Sequence, residues 1–180
     1  MGDFDRAYDL QHEAIELNPT QCEYWYNLGL TCIYRLHPVE AEAAWRKCLE
    51  LNPDADIERK ALAGLEVIAK AYATRLAGNP ALSVDAIRKQ EPVFRGGVAA
   101  LRRQDFDVAA ALFRQSLDLD AGHHQSWGNL GCSLIGLQRV DEAEAALRKA
   151  LELAPDYQFA RDNLLALQSL RRGGVVQLAR

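Results

Sequence analysis

The sequence is poor in the features that announce chemistry. No GxSxG, HExxH, P-loop or GxGxxG pattern occurs in it, so the common serine-hydrolase, zinc-protease and nucleotide-binding signatures are absent. No apolar run approaches the roughly 18 residues a spanning helix needs, and the opening MGDFDR has neither a basic nor an apolar leader region. Arg6 stands where a myristoylation motif requires Ser or Thr. Positive charge is scarce as well: 21 Lys and Arg face 25 Asp and Glu, for a net charge of -4, and no broad basic field is available to attract a phosphate backbone. The four cysteines, Cys22, Cys32, Cys48 and Cys132, form no CxxC pair and are too few for a disulfide scaffold. These absences point to a cytoplasmic protein in a reducing compartment, with no nucleic-acid or membrane partner, no cofactor and no catalytic residues.

What is present is repetition. The chain is 49% hydrophobic and 26% charged, enough for a real core in 180 residues. WYNLG at Trp25 to Gly29 returns as WGNLG at Trp127 to Gly131, and DFDRA at Asp3 to Ala7 returns as DFDVA at Asp105 to Ala109. LNP at Leu17 to Pro19 recurs at Leu51 to Pro53, then as LDA at Leu119 to Ala121 and LAP at Leu153 to Pro155. All three landmarks fall on one period of about 34 residues, the length of a helical repeat.

Each WxNLG opens an amphipathic stretch: Trp25, Leu28, Leu30 and Cys32 in one copy, Trp127, Leu130, Cys132 and Leu134 in the other. A second stretch follows, with Ala41, Ala44, Trp45 and Cys48, or Ala143, Ala146, Leu147 and Ala150, on one stripe. Pro53 and Pro155 then stop it. The pattern predicts helix hairpins, with small residues allowing close backbone approach and Trp25 and Trp127 filling the space between adjacent repeats.

On these residues the chain resembles the tetratricopeptide repeat, whose signature is W-x2-L-G-x2-Y followed by A, F and A on a second helix and a final P. Trp25, Leu28, Gly29, Ala41, Trp45 and Pro53 fit one copy, with Cys32 and Cys48 at the usual Tyr and Ala positions. Trp127, Leu130, Gly131, Ala143, Ala150 and Pro155 fit another, with Leu134 and Leu147 at the two aromatic positions. The resemblance implies an all-α, right-handed superhelical solenoid of antiparallel helix hairpins.

The expected layout is the second helix of an incomplete repeat over residues 1–21, a repeat at 22–55, an irregular one at 56–89, two more at 90–123 and 124–157, a capping helix at 158–172 and a flexible tail at 173–180. In the irregular repeat Arg75 and Asn79 replace the expected Ala and aromatic residue, and Leu62, Leu65, Ala69, Tyr72 and Leu76 prolong one apolar face. This predicts a long helix ending at AGNP, then a short helix in ALSVDAIRKQ, with Pro92 starting the next helix. At the start, Phe4, Tyr8 and Ile15 give an uncapped apolar edge that a homologous edge on another chain, or a missing N-terminal partner, would cover.

Chemistry-bearing constellations are thin. His123 and His124 lie in a helix-entry loop, where adjacent side chains diverge rather than share a metal; His37 reads as a helix-start residue and His12 as a solvated one. The cysteines read as small core hydrophobes. Binding residues come from the resemblance, which implies that first helices line a concave groove for extended peptides or helical segments. By it Tyr26, Asn27, Lys60, Phe94, Arg95, Arg102, Asn129 and Asn163 face that groove. Asn27, Asn129 and Asn163 share one repeat position, similar to the asparagine ladder of O-linked N-acetylglucosamine transferase, interrupted here by Ala61 and Arg95. Lys60, Arg95 and Arg102 would favour an acidic segment or a terminal carboxylate, the alternative being solvated charge. The five-residue carboxylate clamp of chaperone-binding relatives is rejected, because Glu91 stands where a lysine is required. The expected role is a non-enzymatic scaffold or adaptor with a protein or peptide partner. A docking region of a larger enzyme such as a transferase, or a self-assembly module, is the alternative.

Overall fold

A computed structural model describes residues 3–171, which form nine α-helices and no strand. They divide into two compact units between Gly78 and Asn79. The first holds α1 (Phe4–Leu17), α2 (Cys22–Tyr34), α3 (Pro38–Glu50) and α4 (Ala55–Gly78). The second holds α5 (Val84–Arg102), α6 (Phe106–Leu119), α7 (His124–Gly136), α8 (Val140–Leu153) and α9 (Gln158–Arg171). The hairpins are α2 with α3, α5 with α6 and α7 with α8, while α1 packs on α2 and α9 packs on α8 and α7.

The repeated DFD motif is a helix start. Asp3 and Asp105 are N-caps whose carboxylates accept from the Arg6 and Val108 backbone N–H groups, satisfying donors the first turn leaves open. The turn inside each hairpin also repeats. Leu36, Gln104 and Gln138 occupy one repeat position and all adopt positive φ, at 60°, 62° and 58°. Each is followed by a backbone N–H reaching back five residues: His37 to Cys32 at 2.8 Å, Asp105 to Ala100 at 3.0 Å and Arg139 to Leu134 at 2.9 Å. This closes the first helix in a Schellman arrangement and turns the chain into the second.

Close packing inside the hairpins is set by one glycine and one bulky partner. A Cβ at Gly29 would overlap the Trp45 indole, one at Gly97 would lie 2.7 Å from the Phe113 ring, and one at Gly131 would lie 2.6 Å from Leu147. These are the same two repeat positions three times over. Trp45 is the most demanding, because it also fills the space above Gly64 on α4 and is buried. Trp25 and Trp127, expected to fill the gaps between repeats, sit in the first turns of α2 and α7, Trp127 packed against the core of the second unit. Both are only half-buried, and each indole N–H is tied to a loop carbonyl six residues earlier, Pro19 at 2.8 Å and Ala121 at 2.9 Å.

The long helix is present as α4, 24 residues from Ala55 to Gly78. Its Tyr72 hydroxyl donates to buried Glu42 of α3 at 3.1 Å, while the other oxygen of that carboxylate accepts from Arg46 at 2.9 and 3.0 Å. The break expected before Pro92 is corrected: α5 runs unbroken through it from Val84 to Arg102. Proline removes one backbone donor and crowds the preceding turn. The helix persists because Ile87, Gln90, Glu91, Gly97 and Ala100 form one continuous buried face. The boundary expected between residues 89 and 90 therefore falls inside a helix. The tail at 173–180 lies outside the described residues.

Candidate functional site

The eight groove candidates lie on the first helices of both units. In the first unit Tyr26 and Asn27 lie on α2, Tyr26 half-buried and Asn27 exposed. The Tyr26 carbonyl accepts the Trp45 indole N–H at 3.1 Å, so the helix that offers these side chains is fixed by the core behind it. Lys60 is exposed on α4 and paired with Asp56, and the hydrogen bond between them raises the ammonium pKa and lowers that of the carboxylate.

In the second unit Phe94, Arg95 and Arg102 lie along α5. Phe94 is half-buried, 5.8 Å from the Phe113 ring and edge-on to His123 at 4.9 Å. Arg95 Nε is 3.4 Å from Glu91, and Arg102 is exposed in the last turn. Asn129 of α7 and Asn163 of α9 behave alike: each amide donates at 2.9 Å to the carbonyl four residues back, Gln125 and Phe159 respectively. They differ in depth. Asn129 reaches the surface, whereas Asn163 is fully buried and its Oδ1 has no hydrogen-bond partner among the described residues.

Sequence reasoning missed a buried polar cluster behind Phe94. Gln90 Nε2 donates to Ser116 Oγ at 2.7 Å and lies 3.1 Å from His123 Nδ1. Ser126 Oγ is 2.7 Å from both Ser116 Oγ and His123 Nδ1. Ser116 stands where the other hairpins carry Cys48 or Ala150, and this hydroxyl at a small apolar repeat position was the available signal. The cluster ties α5, α6 and the start of α7 together, and it fixes the His123 edge against which Phe94 rests.

His124 packs edge-on to Tyr157 at 4.9 Å, and burial lowers its pKa. Burial also pushes the Tyr157 hydroxyl up to about 12. The ring of Tyr157 lies over Gly128, where a Cβ would approach within 2.6 Å; Gly128 shares its repeat position with Tyr26 and Phe94. His12, expected to be solvated, is half-buried beside Tyr8 with its Nε2 3.8 Å from Glu40. It is drawn in because Tyr8 donates its hydroxyl to the same carboxylate. Among the described residues no group of three or more His, Cys, Asp or Glu gathers as metal ligands, and no helix is long and apolar enough to cross a membrane.

Family models described as "Tetratricopeptide repeat" match residues 22–55 and 94–158. The chain is 34% identical over 61 residues to the "Protein STIP1 homolog" of Dictyostelium discoideum, covering 34% of this chain and 11% of that protein. It is 23% identical over 196 aligned residues to the "Peroxisomal targeting signal receptor" of Kluyveromyces lactis, covering 89% and 34% of the two. The receptor of that name from Saccharomyces cerevisiae is 34% identical over 77 residues, 43% of this chain and 12% of the other. The chain thus spans about a third or less of these relatives' length. Among solved structures, "MamA 41-end from Desulfovibrio magneticus RS-1" superposes with a TM-score of 0.50 at 14% identity, covering 96% of this chain and 77% of the other, a likeness of fold alone.

Proposed function

Because the chain belongs to the tetratricopeptide-repeat family, we propose that it is a protein-interaction scaffold without catalysis of its own, binding an extended peptide or helical segment along the first helices of its hairpins. The observation that carries this reading is the pair Asn129 and Arg95 on neighbouring first helices of one unit. One is a surface carboxamide able to bond a peptide backbone in either direction, and the other a guanidinium able to select a carboxylate.

Phe94 adds apolar contact on a ring held from behind by His123 and Phe113, and Arg102 extends the cationic face by one further charge. Asn163, at the same repeat position as Asn129, is fully buried and stands behind this surface rather than on it. In the first unit Tyr26, Asn27 and Lys60 offer a second set of the same three chemistries. The favoured ligand is acidic, in a cytosolic setting. The name of the peroxisomal relatives, receptors for a targeting signal, supports a peptide as ligand. Selection of a displayed random-peptide library on the intact chain tests the reading. Enriched sequences carrying an acidic side chain or a free terminal carboxylate are expected, and recovery without enrichment contradicts it.

A second reading is the docking region of a longer enzyme. A parent reading frame carrying a catalytic domain decides it.

A further inference from the structure

One first-helix position carries an aromatic ring in α2 and in α5, Tyr26 and Phe94, and none in α7, where the residue is Gly128. The space beside Gly128 is nevertheless filled. A Cβ there would lie 2.6 Å from Tyr157 Cε1 and 3.4 Å from Phe159 Cδ1, so the Tyr157 ring occupies the place that a side chain on α7 would take. Tyr157 arrives from the turn between α8 and α9, where its backbone N–H donates to the Ala154 carbonyl at 3.0 Å. His124 meets the ring edge-on at 4.9 Å and Phe159 lies 5.7 Å away, so it is held between two others.

The polar end of this ring is available. Tyr157 is half-buried, and its hydroxyl has no hydrogen-bond partner among the described residues. The Tyr8 and Tyr72 hydroxyls of the first unit, by contrast, donate to Glu40 and Glu42. With its pKa pushed up to about 12 by burial, the Tyr157 hydroxyl stays a neutral donor throughout the neutral range, and what it fits is an acceptor oxygen. The surroundings favour an uncharged acceptor. Arg161 donates to the Pro155 carbonyl and pairs with Asp156 at 3.4 Å, and His124, its pKa lowered by burial, adds no positive charge at neutral pH. No cation is left for a carboxylate at this point, whereas the carbonyl of a peptide bond needs none.

We propose that Tyr157 is a ligand-contacting residue: its ring takes the part at α7 that Phe94 takes at α5, and its hydroxyl donates to a backbone carbonyl of the bound peptide. This rests on the peptide-binding reading and divides the recognition in two. Asn129, next to Gly128 in the chain, holds backbone together with Tyr157 at α7, while Phe94 and Arg95 select side chains at α5. The partner is then an extended segment whose acidic residue lies beside α5 and whose side chains beside α7 are free to vary.

The test measures the affinity of a fluorescein-labelled peptide enriched from the displayed library on the intact wild-type chain, with circular dichroism of every variant. Tyr157→Phe keeps the ring over Gly128 and removes only the donor, so affinity should fall about three- to tenfold. Tyr157→Ala removes ring and donor and should lose about thirtyfold. Adding Gly128→Tyr to Tyr157→Ala returns a ring and a hydroxyl to α7 itself, as in Tyr26, and should restore affinity to within about fivefold of wild type. If Tyr157→Ala is less helical than wild type, Tyr157→Phe and the Gly128→Tyr, Tyr157→Ala pair carry the test. Undiminished affinity in Tyr157→Phe overturns the hydrogen bond, and undiminished affinity in Tyr157→Ala, or a pair no tighter than Tyr157→Ala, overturns the ring contact. The Arg95→Glu, Asn129→Ala double variant separates the two levels. Weak binding there beside full binding in the Tyr157 variants sinks this inference alone. Full binding there, or a library without enrichment, sinks the peptide-binding reading and this inference with it.

Discussion

Trp45 occupies the space that Gly29 leaves open, and its indole N–H donates to the Tyr26 carbonyl at 3.1 Å. One residue of α3 therefore fixes both the spacing of the hairpin and the helix that carries Tyr26 and Asn27, two of the side chains proposed to meet a ligand. Trp45→Ala is expected to cost about 3–5 kcal/mol, and Gly29→Ala about 1–3 kcal/mol by overpacking. Half-exposed Trp25 loses one hydrogen bond and part of its burial, so Trp25→Ala should cost about 1–2 kcal/mol. Urea unfolding of the three variants checks the order.

Leu36 holds φ at 60° while 83% exposed, so its side chain contributes little packing and its backbone sits where a β-carbon is unwelcome. Leu36→Gly is expected to stabilise the chain by about 0.5–1 kcal/mol, the relief of strain exceeding the entropy cost of glycine. A rise in denaturation midpoint with an unchanged slope verifies this; a fall contradicts it.

The pKa of His124 is lowered from 6.5 by burial. The folded state then binds this proton less readily than the unfolded chain, so the associated stability is fully present above pH 6.5 and is lost as pH falls toward the depressed folded value. Melting temperature should fall on acidification below that point, and His124→Gln should show a shallower fall than wild type. Parallel pH curves would show that the His124–Tyr157 contact is not the source.

Asn163 sits fully buried with its Oδ1 unpartnered. Replacing it with the similarly sized Leu removes an unsatisfied acceptor, so stability should hold level or rise by about 1 kcal/mol. A large loss of stability would mean that the carboxamide is already satisfied in the unliganded fold.

The period and the hairpins were legible in the sequence because each rests on local chemistry repeated at fixed spacing; the recurrence of DFD was legible too, but its role as a helix N-cap came from the structure. Pro92 misled because its rule concerns one backbone donor, whereas the persistence of α5 depends on Ile87, Gln90, Gly97 and Ala100 packing together. Trp25 stood out in its motif, yet burial went to Trp45, which needs two glycines from two other helices, Gly29 and Gly64. The Gln90, Ser116, Ser126 and His123 cluster draws on three helices and the residue before the third, and only Ser116 carried a hint of it. Leu36 gave no signal of its positive φ, since leucine is not a residue that favours one.

The central claim is that Asn129 and Arg95 bind a peptide together. The most direct measurement is the affinity of a library-selected peptide for the wild-type chain and for an Arg95→Glu, Asn129→Ala double variant, after circular dichroism has shown the two equally helical. A loss of at least about tenfold, roughly 1.4 kcal/mol, with wild-type binding weakening as salt rises, is the predicted result. Equal affinity, or binding insensitive to salt, would contradict the claim.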